Sequence, residues 1–355
     1  MEIYFVLFLL LLIYTFVEIQ AKKGINLAHK ITIVLILAML SGFRYEVGND
    51  FNNYVLIYDN IEMFSYLELG FKGLIRLVKF MGGNEQAMFM LSSIVTIVPL
   101  AFLINKVCPR YFCVAITVYV LTYIYFEGMN TVRQAISMTI MFYAFYDYLT
   151  NKKTWRYVAV VLLAVLFHYS VILVAIAGWL IMCFSGKKIH TIAFAVALMV
   201  SFVLGYYLTS FTDQIVSFAN LLGQGNSKYL DSIEQRGVNS GTFHYVLNIY
   251  GIAFLIFAYY KRMYLSEFEN GVLKLFMTAI ITYNLFFNFY IGLRFYWYFY
   301  LLITLVIPIV LSHIKKKYRP LTFVVIISVF IAYTYLSLGT IYYSSYKYTF
   351  DLLAK

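Results

Sequence analysis

Long apolar segments alternate with short polar ones along almost the whole chain. The apolar segments lie near residues 2–20, 31–43, 86–105, 111–126, 131–149, 155–184, 188–209, 243–261, 270–290, 294–312 and 320–343. A transmembrane helix needs about 20 mostly apolar residues. The 155–184 segment is too long for one ordinary crossing, so it predicts two short crossings that meet near His168. The pattern therefore predicts an all-α polytopic membrane protein of eleven to twelve transmembrane helices, with residues 1–355 forming one transmembrane domain.

The composition excludes a soluble globular protein. Apolar residues make up 63% of the 355 residues, charged residues make up 12%, and the mean hydropathy is +0.81. A soluble chain is nearer half apolar and a quarter charged. So few charges cannot cover a water-facing surface, and the remaining apolar surface must face lipid. The aromatic content of 20% suits a chain with many membrane interfaces.

The positive charges indicate the orientation in the membrane. Basic clusters follow alternate predicted spans, at Lys22, Lys23, Lys30, Lys106, Arg110, Lys152, Lys153, Arg156, Lys187, Lys188, Lys261, Arg262, Lys274, Lys315, Lys316, Lys317 and Arg319. If the chain crosses at every span, all of them fall on one side, and the positive-inside rule makes that side cytoplasmic. Both termini are then outside. The net charge of +11 thus reflects topology, and no nucleic-acid partner is expected.

Two long loops, about 44–85 and 210–242, fall on the predicted outer face. Within the first, helical spacing separates a basic face from an apolar face, formed by Lys72, Arg76 and Lys79 and by Phe71, Leu74, Ile75 and Val78. This pattern predicts an amphipathic helix lying on the outer leaflet. It acts there either as an interface anchor or as a contact to a lipid phosphate.

Four polar motifs lie at the predicted outer ends of spans, where charged groups are costly and therefore informative. They cover residues 42–51, 127–134, 167–170 and 292–296. Three of them contain an arginine, namely Arg44, Arg133 and Arg294. Arginine carries a permanent charge and a fork of donors that suits phosphate and pyrophosphate. The alternative for each arginine is snorkelling to lipid headgroups.

Other polar side chains accompany these motifs. Asn130, Gln134 and Ser137 share a helical stripe with Arg133, which predicts a wet cavity. Asn284 and Asn288, one turn apart, either line the same cavity or form hydrogen bonds between helices.

His168 lies in the middle of a long apolar stretch. It is either a structural residue or a general base that accepts a hydroxyl proton; His244 is a weaker candidate. The chain has no Walker motif, no Asp-x-Asp motif, and no His, Cys or carboxylate cluster with metal-ligand spacing. We therefore expect a site without metal or cofactor.

At these residues the sequence resembles the EpsG family and, more loosely, the Wzy-type polysaccharide polymerases. The matching motifs are Gly42-Phe43-Arg44-Tyr45-Glu46-Val47-Gly48-Asn49-Asp50-Phe51 with Tyr54, Glu68-Leu69-Gly70-Phe71, Asn130-Thr131-Val132-Arg133-Gln134-Ala135-Ile136 and Ala164-Val165-Leu166-Phe167-His168-Tyr169-Ser170. Arg294 with its aromatic followers and Tyr346-Lys347-Tyr348 are similar but less distinctive. The family's commoner Asp-Tyr is Asp50-Phe51 here, and its usual Ala is Ser137.

The resemblance implies a polymerase of the polytopic membrane glycosyltransferase class, with a GT-C-like architecture, in the bacterial inner membrane. Such an enzyme moves a growing glycan from undecaprenyl pyrophosphate to the non-reducing end of another lipid-linked repeat unit, at the periplasmic or outer face. The same pathway implies a flippase and a chain-length regulator as possible partners beside the lipid-linked oligosaccharide and the bilayer. We predict catalytic roles for Arg133, Arg294, His168, Asp50 and Glu127, and substrate contacts for Arg44, Tyr45, Glu46, Tyr54, Glu68, Asn130, Gln134 and Asn288.

Three other functions remain open from the sequence. A flippase of the lipid-linked unit also needs arginines for pyrophosphate, but it is expected to carry polar groups through the midplane, often in repeated halves. An O-antigen-ligase-like transferase shares the donor and differs in the acceptor. A membrane acyltransferase would use His168 but leaves the three arginines without a pyrophosphate.

Overall fold

The computed structural model describes residues 2–21, 24–184, 191–221, 240–287, 290–338 and 347–348. Almost all of them are helical, which confirms the predicted all-α membrane fold. In chain order the helices are α1 (Glu2–Gln20), α2 (Leu27–Gly42), α3 (Phe51–Asp59), α4 (Leu69–Phe80), α5 (Glu85–Val107), α6 (Phe112–Leu121), α7 (Ile124–Asn130), α8 (Val132–Asn151), α9 (Thr154–Val165), α10 (Val171–Phe184), α11 (Thr191–Leu221), α12 (Ser240–Lys261), α13 (Glu267–Phe286), α14 (Tyr290–Tyr300), α15 (Ile303–Ser312) and α16 (Arg319–Leu338). Two short strands, β1 (Arg44–Tyr45) and β2 (Lys347–Tyr348), pair antiparallel with Arg44 opposite Tyr348.

The described helices include six that are long and apolar enough to cross a membrane, or seven if one bent pair counts as a span. Three shorter apolar helices, α2, α9 and α10, correspond to further predicted spans. The remaining predicted spans correspond to α8 and α13, which carry more polar residues. The protein is therefore a multi-pass membrane protein, and the total of eleven to twelve spans stays a prediction.

Two of the predicted spans are broken inside the membrane sequence. The 111–126 span ends at Tyr123, whose left-handed backbone (φ 68°) separates α6 from α7 and bends the pair by 52°. The 155–184 span stops at Val165 and resumes at Val171, so His168 lies in a non-helical break between α9 and α10. The prediction that this segment divides near His168 is confirmed.

The 44–85 segment folds into a helical cap. Its apolar side chains form one cluster with residues of α5 and α8, consisting of Phe51, Tyr54, Ile57, Tyr58, Ile61, Leu67, Phe71, Leu74, Ile75, Val78, Met88, Phe89, Val132 and Ile136. The amphipathic helix predicted here is α4. Its apolar face packs against α3 and α5 in this cluster. The prediction that this face contacts the lipid of the outer leaflet is therefore wrong.

The chain divides into two compact units. The first comprises Met1–Ile172 and Ile303–Lys355, and the second comprises Leu173–Leu302. In the first unit, α2 packs on α5, α8 packs on α9, and α6 packs on both α1 and α15. In the second unit, α13 packs against α11, α12 and α14. Whether 1–355 acts as one transmembrane domain stays a prediction.

Candidate functional site

Glu68 immediately precedes α4, at the N-cap position, but its side chain does not cap the helix. Its backbone is extended (φ −64°, ψ 142°), and its side chain makes no hydrogen bond to the helix that it precedes. The side chain turns into the first unit, where it is 3% exposed. A carboxylate buried this deeply needs charged or hydrogen-bonding partners.

Gly70 brings the start of α4 against the break between α9 and α10. Its backbone N–H donates to the carbonyl of Leu166 at 2.7 Å. A Cβ at position 70 would lie 2.7 Å from that same oxygen. The contact therefore requires glycine, because any larger residue would separate the two backbones.

The break itself is fixed by hydrogen bonds to the last turn of α9. The backbone N–H groups of Phe167 and His168 both donate to the carbonyl of Ala164, at 3.0 and 3.1 Å. The hydroxyl of Ser137 on α8 donates to the same carbonyl at 3.0 Å. These bonds hold the His168 side chain in the interior, where it is 8% exposed.

One carboxylate joins the two residues that the sequence favours for catalysis. Glu68 Oε2 lies 2.5 Å from Arg133 Nη1, and Glu68 Oε1 lies 3.1 Å from His168 Nδ1. The Arg133 side chain is 21% exposed and that of His168 is 10% exposed. We call this group the Glu68–Arg133–His168 cluster. It unites the cap, the start of α8 and the α9–α10 break.

The carboxylate of Glu68 is held in its ionised form. Burial raises its pKa, but the hydrogen bond with His168 and the positive charge of Arg133 lower the pKa more, so that it lies below its usual value of 4.5. An ionised carboxylate only accepts hydrogen bonds. The site therefore carries a fixed negative charge between two nitrogen donors.

Tyr54 and Asp50 lie beside the cluster. The guanidinium of Arg133 hydrogen bonds with the buried hydroxyl of Tyr54. Burial raises the pKa of Tyr54, Arg133 lowers it, and the negative charge of Asp50 raises it. Asp50 stands at the N-terminus of α3 and accepts a hydrogen bond from Asn53 at 3.1 Å. Tyr54 is thus a neighbour of Arg133, and Asp50 lies within electrostatic reach of Tyr54.

Arg44 occupies a structural position in the first unit. It is 1% exposed, and its guanidinium donates to the carbonyls of Ser41 at 2.5 Å and Met129 at 3.1 Å. It also lies over the ring of Phe89, 4.4 Å from the centroid. Arg44 therefore ties α2, α5 and α7 together, and its predicted substrate contact stays a prediction.

The predicted polar stripe around Arg133 is divided. The helix breaks at Thr131, so Asn130 ends α7 while Arg133, Gln134 and Ser137 belong to α8. Asn130 accepts a hydrogen bond from the backbone of Asn49 at 2.7 Å, and Gln134 is 2% exposed. Asn130, Gln134 and Ser137 are buried, whereas the Arg133 side chain is 21% exposed. The wet cavity expected along this stripe stays a prediction.

A small polar pocket lies beside Arg44. Its lining includes Arg44, Ser92, Ser93, Thr96 and Tyr125. This pocket also includes Gly128 and Val132, so it borders α2, α5, α7 and the start of α8, next to Arg133 in sequence.

The other predicted residues of the first unit lie around these elements. Tyr45 pairs with Lys347 in the strand pair, and its ring contacts Phe51 at 5.6 Å. Glu46 is exposed, with a left-handed backbone (φ 53°). Glu127 is half-buried on α7.

In the second unit, Arg294 is half-buried on α14. Asn284 forms hydrogen bonds between helices, which was one of its two predicted roles. It lies 2.8 Å from Nε2 of the buried His244, accepts from Asn248 at 2.7 Å and donates to Ser201 at 3.0 Å. Asn288 lies outside the described residues, so its predicted substrate contact stays a prediction.

Gly70 and Ser137 are the site residues whose roles sequence reasoning missed. Gly70 stands inside the Glu68-Leu69-Gly70-Phe71 motif, and a glycine within an amphipathic helix was the available signal for a close backbone approach. Within the described residues, no group of three or more His, Cys, Asp or Glu side chains is placed to hold a metal ion. Independence from metal stays a prediction.

The family is decided by comparison with known proteins. The model of the EpsG family matches residues 27–350, which covers the cap, α8 and both sides of the α9–α10 break. The chain belongs to the EpsG family. This family consists of Wzy-type polysaccharide polymerase-like proteins, so the chain is a polysaccharide polymerase-like, glycosyltransferase-like membrane protein. No curated protein and no solved structure matches it.

Proposed function

We propose that this EpsG-family protein is a polysaccharide repeat-unit polymerase that acts at the outer face of the bacterial cytoplasmic membrane. Its donor would be a glycan on undecaprenyl pyrophosphate, and its acceptor a second lipid-linked repeat unit. The observation that carries the proposal is the Glu68–Arg133–His168 cluster. Arg133, the proposed anion ligand, and His168, the proposed proton acceptor, each contact one oxygen of the Glu68 carboxylate.

His168 and Arg133 have different roles in the proposed reaction. The acceptor hydroxyl attacks the anomeric carbon of the donor sugar, forming the new C–O bond as its proton passes to His168. The bond from the anomeric carbon to the pyrophosphate oxygen breaks, and its electron pair stays on the departing pyrophosphate. Arg133 stabilises that developing charge, since fixed donors in a partly desolvated site act more strongly than in water.

Arg133 has hydrogen-bond donors that Glu68 does not occupy and that could bind the pyrophosphate. Its Nη1 binds Glu68, and the side chain as a whole is 21% exposed. A pyrophosphate oxygen would bind the exposed part of the guanidinium with a charge-assisted bond. Asp50 and Glu127 remain rival bases, and the catalytic role predicted for Arg294 from its motif stays a prediction.

A flippase is the main alternative, because it needs the same anion-binding arginines. The contact between a histidine and a buried carboxylate suits an enzyme that removes a hydroxyl proton, whereas a flippase needs such a pair only if it couples transport to proton movement. An O-antigen-ligase-like transferase would use the same cluster with another acceptor. Product analysis separates these three functions. A flippase moves the single lipid-linked unit across the bilayer without lengthening it, a polymerase lengthens the lipid-linked chain, and a ligase-like transferase moves the chain to another acceptor.

The test uses variants that keep the contacts of Glu68. Arg133→Lys retains the charge but loses the fork of donors. His168→Asn retains an amide donor near the position of Nδ1 but removes Nε2. We expect both to insert and accumulate normally yet to abolish long-chain polymer in cells, with the lipid-linked unit building up. Arg76→Lys, in the exposed pair with Glu62, is the matched control and should leave polymer unchanged.

The lipid-linked unit extracted from the His168→Asn cells then serves as the substrate in vitro. Purified wild-type protein should convert it into a polymer ladder without added metal. Normal polymer from both variants would refute the site, and transport of the unit without chain growth would favour the flippase.

A further inference from the structure

The role of Glu68 goes beyond the sugar contact expected for it. Its two oxygens are both engaged by protein groups, one by Arg133 and the other by His168, and its side chain is 3% exposed. Each oxygen keeps a second acceptor site, but at 3% exposure a sugar hydroxyl could reach the carboxylate only if the surrounding side chains moved aside. Glu68 is therefore placed to act on its neighbours and not on the substrate.

The contact with His168 determines which ring nitrogen carries the proton. A neutral imidazole has one protonated nitrogen and one basic nitrogen, and the hydrogen bond of the first decides the second. Because the ionised carboxylate of Glu68 accepts but cannot donate, Nδ1 must carry the hydrogen in their 3.1 Å contact. The basic lone pair then lies on Nε2, on the far side of the ring from Glu68.

We propose that Glu68 is a positioning residue that holds His168 in its Nδ1-protonated form, so that Nε2 receives the proton of the acceptor hydroxyl. The inference rests on the proposed polymerase function and deepens it. The proton leaves the hydroxyl oxygen as that oxygen bonds to the anomeric carbon, and it ends on Nε2. The same carboxylate orients Arg133, so one side chain sets the distance between proton acceptor and anion ligand.

Two variants of Glu68 separate the effect of side-chain length from the effect of charge. Glu68→Asp keeps the charge, but it is one methylene shorter and cannot hold both partners at once. Glu68→Gln keeps the length and an acceptor oxygen, but it removes the charge that stabilises an imidazolium. Glu62→Gln is the matched control, since Glu62 is a carboxylate of the same cap in an exposed pair with Arg76.

The first readout is spectroscopic and independent of activity. The ¹⁵N spectrum of histidine-labelled protein in detergent, with His168 identified by its loss in His168→Asn, reports the protonation of each ring nitrogen. We expect Nδ1 protonated and Nε2 unprotonated at neutral pH in the wild type and in Glu62→Gln. In Glu68→Asp the Nδ1-protonated fraction should fall. A wild-type ring protonated only at Nε2 would overturn the inference.

The second readout is kinetic, with the extracted lipid-linked unit as substrate. We expect Glu68→Gln to lower kcat by about 100-fold or more, within the range lost when acid–base catalysis fails, while KM stays nearly unchanged. A rise in KM with kcat unchanged would instead show that Glu68 binds the sugar. Failure of the wild-type protein to lengthen the lipid-linked unit would refute the proposed function itself. An active wild type with the wrong tautomer, or full activity of His168→Asn, refutes the positioning role alone.

Discussion

The carboxylate of Glu68 is buried between a permanent cation, Arg133, and a side chain that becomes a cation in acid, His168. Removing an ion from water costs several kcal/mol, and only partners in good geometry offset this cost. Each oxygen of Glu68 has one such partner. The stability of the surrounding structure therefore depends on all three residues together.

This dependence predicts a large effect of removing one partner. Arg133→Ala should destabilise the protein by about 3 kcal/mol, because it leaves the charge of Glu68 buried and only partly compensated. The loss should appear as a lower Tm of the purified protein in detergent. The double variant Glu68→Ala/Arg133→Ala should lose less than the sum of the single variants.

Arg76→Ala is the control for that measurement. It breaks an ion pair of the same type, but one that is exposed, where solvent screening leaves little net stabilisation. We expect no measurable change in its Tm. Additive losses in the Arg133 and Glu68 variants would show that the pair contributes nothing to stability.

Single residues also show where sequence reasoning succeeds and fails. Arg133 and His168 could be predicted because a charged or polar side chain stands out in an apolar run. The link through Glu68 could not, since Glu68 lies 65 and 100 residues away in a polar loop where a carboxylate is expected. Arg44 stands out as Arg133 does, yet its contacts with backbone carbonyls leave no trace in the sequence.

At the scale of elements, the short lengths of α9 and α10 predict that the break between them lies below the membrane surface. They contain 12 and 14 residues, or roughly 18 and 21 Å at 1.5 Å per residue. Either is shorter than the ~30 Å hydrocarbon core. A helical break at that depth is tolerated only where protein satisfies its backbone. The Ser137 hydroxyl and the Gly70 N–H donate hydrogen bonds to carbonyls of this break, so α8 and α4 help to satisfy its backbone.

The two glycines of α4 allow the contact between α4 and the α9–α10 break to be tested. Gly70→Ala should push α4 away from Leu166, pull Glu68 from His168 and strongly reduce polymer formation. Gly73→Ala is the control on the same helix, since a Cβ there meets nothing within 4 Å. It should leave polymer formation unchanged and raise stability by up to about 1 kcal/mol. Both are measured by polymer ladders and Tm, and equal activity of the two variants would contradict the role of Gly70.

The helix α4 also shows the limit of pattern reasoning for an element. Its spacing of Phe71, Leu74, Ile75 and Val78 predicts the helix and its buried face. The same spacing serves equally well against lipid or against protein, because both environments are apolar. Only the tertiary structure shows that the face packs against Phe89 and its neighbours.

At the scale of the whole molecule, the cluster links three segments that are distant in sequence. The cap follows α2, Arg133 lies in the first turn of α8, and His168 lies between α9 and α10. Their contact requires that all three lie at the same end of the first unit. An alternating path with basic clusters in the cytoplasm would put that end outside, as a donor on the outer leaflet requires. This orientation is a prediction.

Cysteine accessibility tests this orientation directly. In a background without the three native cysteines, Asn52→Cys in the cap should react with a membrane-impermeant maleimide in intact cells. Lys153→Cys, between α8 and α9, should react only after the membrane is permeabilised. Both positions are exposed in the structure, so a difference in labelling reflects the side of the membrane and not burial. The reverse pattern would place the Glu68–Arg133–His168 cluster toward the cytoplasm, where a lipid-linked unit already moved to the outer leaflet could not reach it.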